Sequence, residues 1–188
     1  MSTNIKILNT IGLNKAIRDM ITNEKNCLLL LTPYIDLDDD IKNKLTFSKA
    51  KKIHIVYRKK EELNDNEDDD KDDYKKQKKK EYDRHKEKMD KLKRHFENEK
   101  KIDFFEIDDL HAKVYLSSSK IILTSMNLTN HSQKYNFELG VIIDAYKNDK
   151  ICEDIVGEIK TFLNNNGLND SKDLLDDLYA NHWIVSDK

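Results

Sequence analysis

At 188 residues the chain can bury the core of one domain but is too short for two large ones. Charged residues make up 37%, as many as the apolar set, yet the net charge is only −2 because opposite-signed blocks cancel, so charge alone excludes no polyanionic partner. Two distant cysteines, Cys27 and Cys152, without a C-x-x-C spacing argue against a zinc site or a disulfide framework and for buried thiols in a reducing compartment.

In chain order, Asn4–Leu8 reads as a short strand, and Leu13, Ile17, Met20 and Ile21 fall at helical spacing up to the turn residues Asn23–Asn26. Cys27–Thr32 is a continuous apolar run, the mark of a strand covered on both faces, and Pro33 closes it. It is far too short to cross a bilayer, and no basic-then-apolar leader precedes it, so the expectation is a soluble, cytoplasmic protein without a membrane span. Asp36–Asp40 offers capping oxygens to a helix carrying Leu37, Ile41 and Leu45, and Ile53–Tyr57 is the next strand. Strand, helix, strand with both faces covered predicts an α/β sandwich with a mixed, mostly parallel sheet flanked by helices.

The composition then changes. Glu61–Asp73 holds nine acids and one lysine, and Tyr74–Arg94 holds eleven bases against four acids. The second block carries only a thin apolar stripe (Tyr82, Met89, Leu92 and Phe96) on a helix expected over roughly 72–100. Residues 61–101 therefore read as a charged helical insertion in a single domain spanning 1–188, projecting from the sheet or lying loosely on it. Its ordinary role is a solvated face paired with its own acidic block. Lys75 and Lys79 are also candidates for contact with a phosphate backbone, with Tyr74 or Tyr82 for stacking.

Ile102–Ile107 reads as a strand leading into Leu110–Leu116, and Ser117–Ser119 as a hairpin turn into Lys120–Ser125. Asn127–Gln133 is a polar loop in which Thr129 and Ser132 could line a phosphate site, though ordinary turn chemistry explains each singly. After the strand Asn136–Ile143, a helix opens at Asp149 with Ile151, Ile155, Ile159, Phe162 and Leu163 on one side, ending at Asn164–Gly167. Asp170–Tyr179 reads as a further short helix with the Trp183 tail packed on it.

Three of these strands carry polar residues that a plain core would not select. Alternation puts His111 and Lys113 on one face, Ser125 and Asn127 on one face, and Glu138 alone among apolar neighbours. If the strands are adjacent, these groups converge at one end of the sheet. The set suits attack on a phosphodiester: a neutral imidazole as nucleophile, a carboxylate to hold its other nitrogen, and Lys113, Asn127 and Ser125 to bind phosphoryl oxygens. A cationic side chain then does the neutralising, so neither metal nor cofactor is expected. The plain alternative is a hydrogen-bonded structural histidine beside a chance lysine.

The pattern His111–x–Lys113, then Thr124–Ser125–Met126–Asn127 where Gly-Ser-x-Asn is usual, then Glu138 eleven residues on, resembles the phospholipase D superfamily. Weaker likeness extends to Leu31–Ile35 and Ile53–Tyr57, so that it covers roughly residues 10–60 and 100–160. The resemblance implies a phospholipase-D-like fold and a covalent phosphohistidine on His111, with Lys113 and Asn127 on phosphate and Glu138 orienting the ring. It also implies an aspartate where this chain has Ser118, a residue that single-motif nucleases of the superfamily often lack. The family's mechanism uses two histidines. No other histidine here is followed two residues on by lysine, so the expectation is a homodimer in which two His111 residues meet across a two-fold axis. The resulting reading is a metal-independent nuclease acting on DNA or RNA. The alternatives are a lipid hydrolase of phospholipase D type, which calls for an exposed apolar rim, and a non-catalytic nucleic-acid-binding module with a degenerate site.

Overall fold

The computed structural model describes residues 4–60, 72–144 and 149–168. Nine strands and five helices follow in the order β1 (Ile5–Asn9), α1 (Thr10–Asn23), β2 (Cys27–Thr32), β3 (Ile35–Asp36), α2 (Asp39–Thr46), β4 (Lys52–Arg58), α3 (Asp72–His95), β5 (Ile102–Ile107), β6 (Val114–Leu116), β7 (Lys120–Thr124), β8 (Leu128–Thr129), α4 (Asn130–Lys134), β9 (Leu139–Asp144) and α5 (Asp149–Asn165). Seven of the strands form one sheet in the order β1-β9-β7-β6-β2-β4-β5. Five point the same way, and β6 and β9 run against them. The sheet is mixed and mostly of one direction, as the sequence predicts.

All six residues of β2 are buried, because its two faces lie under different helical layers. On one face Leu28 and Leu30 join Ile53, Ile55, Tyr57, Tyr115 and Ile122 beneath α1 and α2, which contribute Leu13, Ile17, Ile21, Ile41 and Leu45. On the other, Leu29, Leu31, Val56, Val114, Leu116 and Ile121 lie beneath α5. The helix starts are fixed locally: Asn9 caps α1 by accepting from the Gly12 N–H, and Asp38 caps α2 by accepting from the Ile41 N–H.

Two helices depart from expectation. In α5 Ile159 and Leu163 are buried and Ile155 and Phe162 pack partly against the core as expected, but Cys152 and Val156 join the stripe and Ile151 is exposed. The charged helix α3 is anchored rather than loosely held: Met89, Leu92 and Phe96 are buried in the core beneath α1 and α2. It connects two parallel strands, β4 and β5, that are sheet neighbours, so its C-terminal half must cross their face. Polar contacts reinforce this. Tyr57 on β4 pairs across the ladder with Glu106 on β5, and its hydroxyl donates to the Glu106 carboxylate. Lys93 of α3 reaches that carboxylate at 3.1 Å and lies over the Tyr57 ring. The acidic stretch 61–71, the helix expected over 170–179 and the Trp183 tail lie outside the described residues. No helix among the described residues is long and apolar enough to cross a membrane.

Candidate active site

The antiparallel ladder of β6, β7 and β9 brings the start of β6, the end of β7 and the start of β9 to one edge of the sheet. His111 and Lys113 lie just before β6, Ser125 and Asn127 just after β7, and Glu138 just before β9. The predicted convergence is present, but on the segments flanking the strands. Strand alternation therefore does not orient these side chains; individual hydrogen bonds do.

Glu138 is the most tightly held. It is buried, its carboxylate accepts from the Ser125 hydroxyl and from Asn136 Nδ2 at 3.2 Å, and its own N–H donates to Thr10 Oγ1 at 2.8 Å. The Thr10 hydroxyl donates in turn to the Asn136 carbonyl at 3.1 Å, so the first residue of α1 clamps the segment. The Leu139 N–H donates back to Ser125 Oγ at 3.2 Å. The expected bond from Glu138 to the His111 ring is not among the hydrogen bonds of the described residues. Ser125 and Asn136 occupy the carboxylate, and His111 sits exposed on an extended segment outside the ladder. Lys113 turns back along that segment, and its ammonium donates to the His111 carbonyl at 2.9 Å. Burial pushes the Lys113 ammonium below the usual lysine range, opposed by the Glu138 carboxylate. Tyr115 lies fully buried beneath, its hydroxyl donating to the Met126 carbonyl at 2.8 Å.

The loop after β7 carries a cluster of amides. The side-chain oxygens of Asn127 and Asn130 and both amide atoms of Gln133 are buried with no hydrogen-bond partner among the described residues. Each such group costs about 1–3 kcal/mol when left unpaired, so each of these amides calls for a polar partner such as water, an ion or a ligand. Thr129 serves the backbone instead: its hydroxyl caps α4, accepting from the Ser132 N–H at 3.2 Å, and Ser132 is buried. Of the two lysines predicted to bind substrate, Lys79 is exposed on α3 and the Lys75 side chain lies outside the described residues. Thr10, Gln133 and Asn136 escape sequence reasoning. Asn136 shares strand parity with Glu138 and was in principle legible, whereas Thr10 is 128 residues away and gives no local signal.

Both departures from the expected motif have structural counterparts. Ser118 lies in the β6–β7 turn, at the opposite end of β6 from His111, so its missing charge is remote from the site. Its N–H and hydroxyl both donate to the buried Glu24 carboxylate at 2.9 Å, which also accepts from the N–H groups of Lys25 and Asn26. Thr124, standing in for glycine, faces Gly140 across the ladder. A Cβ at Gly140 would come within 2.8 Å of the Thr124 Cβ and 2.6 Å of the Leu123 carbonyl, so the required small residue sits on the partner strand.

The family model described as "Cardiolipin synthase, PLD-like domain" matches residues 17–162. The chain belongs to this phospholipase-D-like family. No curated protein matches it. Among solved structures, this phospholipase-D-like chain is similar to Nuc, a phospholipase D family member from Salmonella typhimurium, at 14% identity and a TM-score of 0.53 over 76% of this chain and 84% of the other. NucT from Helicobacter pylori is similar at 11% identity and 0.51, over 88% and 96%. Phosphatidylserine synthase from Haemophilus influenzae gives 16% and 0.60 over 74% of this chain, which spans only 34% of that longer protein. At these identities the likeness establishes the fold.

Proposed function

We propose that the chain is a metal-independent phosphodiesterase, most specifically a nuclease, working as a homodimer through His111. One observation supports the reading: in a phospholipase-D-like fold the segments carrying His111, Lys113, Asn127 and Glu138 lie at the same end of the β6–β7–β9 ladder, with Lys113 bonded to the His111 carbonyl and Glu138 clamped by Ser125. The His111 ring attacks phosphorus, forming an N–P bond as the P–O bond to the leaving group breaks. The departing oxygen takes its proton from His111 of the second copy. Water then attacks the phosphohistidine, giving its proton to that same second imidazole as the N–P bond opens. Lys113 and the amides of Asn127 and Gln133 stabilise the charge on the phosphoryl oxygens. Glu138 is assigned to orient the imidazole, and in this structure its carboxylate is held instead by Ser125 and Asn136.

The need for a second histidine is what supports dimerisation. Beside Glu138, Ile11, Tyr135 and Phe137 are 79%, 76% and 80% exposed, an apolar rim suited to a second copy. The same rim favours a second reading, a lipid hydrolase that presses it against a bilayer.

Incubation of the full chain with labelled DNA, RNA and phosphatidylglycerol vesicles in excess EDTA separates these. The expected result is cleavage of nucleic acid that disappears in His111→Ala, with a phosphorylated His111 recovered from the quenched reaction. Release of the lipid headgroup alone would select the second reading, and cleavage surviving in His111→Ala would remove both.

A further inference from the structure

Beyond the four site residues, the same edge of the sheet carries two adjoining cavities of about 240 and 320 Å³. Tyr34, Lys60, Glu81 and His85 line both, so they form one groove, walled by α3 on one side and by the chain leaving β2 and β4 on the other. The short β3–β8 pairing holds the Tyr34–Asp36 segment against the loop that follows Asn127, and Thr129 and His131 line the nearer cavity. The groove therefore runs directly alongside the site.

Its chemistry is specific. Lys60 lies 4.0 Å from Glu81 and Lys88 lies 3.4 Å from Asp36, which neutralises those pairs. Arg58, Lys59 and Arg84 have no ion-pair partner among the described residues, in contrast to Arg18, which binds two aspartates on α2. Two tyrosines, Tyr34 and Tyr82, and an imidazole, His85, line the same groove as these cations, and Lys86 Nζ lies 5.9 Å from the Tyr82 ring centroid. Burial first, and Lys60 second, hold His85 below the ordinary histidine range, so at neutral pH it adds a ring and no charge. The unpaired carboxylates Asp108 and Asp109 line the outer end and repel phosphate, which leaves the Arg58–Arg84 side for a backbone.

We infer that this groove is a track for single-stranded nucleic acid, with Arg58, Lys59 and Arg84 along the phosphates and Tyr34 and Tyr82 stacking on bases. Cations and aromatic rings in one groove suit a single strand, because only unpaired bases expose a ring to stack on. The inference deepens the nuclease reading and rests on it for the bond that reacts.

The test uses the full chain carrying His111→Ala, so that nothing is cleaved, with a fluorescein-labelled oligothymidylate and a duplex of equal length as probes. Tyr34→Ala and Arg84→Ala are each expected to weaken single-strand binding about tenfold, and Tyr34→Phe to leave it unchanged. Arg84→Ala should also flatten the salt dependence. Should Tyr34→Ala fail to fold, Arg58→Ala carries the test. Duplex bound as tightly as single strand, or variants bound like the parent, would overturn the track. If wild-type protein cleaves no nucleic acid while binding still depends on Tyr34 and Arg84, the nuclease reading falls and the track stands.

Discussion

Lys113 shows how a single side chain carries both structure and chemistry. Its ammonium is partly desolvated and bonded to the carbonyl of the residue it serves, so it loses its proton at lower pH than an exposed lysine. The charged form is the useful one, so activity is expected to fall on the alkaline side before the usual lysine value of 10.5 is reached. A pH–rate profile checks this: Lys113→Arg should move that limb upward, and an unchanged limb would take Lys113 out of the proposed chemistry. At this scale the sequence offered candidates but not their contacts. His111, Lys113, Asn127 and Glu138 stand out in sequence as polar groups beside apolar runs, although they lie just outside the strands those runs form. Which group Glu138 holds was not legible, because Ser125, Asn136 and Thr10 reach it through loop geometry and one contact of very long sequence separation.

Among the elements, α3 was read correctly as a helix and incorrectly as loosely held. Three buried apolar residues suffice because Lys93 and Tyr57 converge on Glu106 beside them. Burial raises the Glu106 carboxyl, but the Tyr57 hydroxyl and Lys93 outweigh it and hold the group below its ordinary 4.5. A carboxylate lowered by folding contributes stability above its unfolded value, and that contribution is lost as the pH falls through the folded one. Glu106→Gln is therefore expected to cost about 1 kcal/mol at neutral pH, and less below pH 4. Urea denaturation at pH 7 and pH 3.5 measures the difference, and an equal cost at both would show that the contact is not electrostatic. On α5 only Ile151 fell outside the packed face, because a helix whose apolar residues span two neighbouring stripes does not declare its exact centre until the sheet is built.

At the scale of the molecule, one sheet edge carries three surfaces in sequence across the strands. The cationic groove lies over β2, β4 and β5, the reacting groups over β6 and β7, and the apolar rim beside β9 and α1. The main strands along the chain and the two covered faces followed from apolar runs and turn residues, whereas their order in the sheet was not legible. The rim was not, since Ile11, Tyr135 and Phe137 are scattered along the chain and look like core residues. Phe137→Asp is expected to convert a dimer to monomer, with cleavage falling at least a hundredfold while single-strand binding persists; light scattering with an activity assay reads both. A monomeric wild-type chain that is fully active would remove the shared site. The bond that ties Ser118 to Glu24 has a wider consequence. A search that demands histidine, lysine and aspartate as one contiguous string passes over any chain that anchors the same hairpin from a distant helix end, and such chains would be found instead by a serine and a glutamate that vary together.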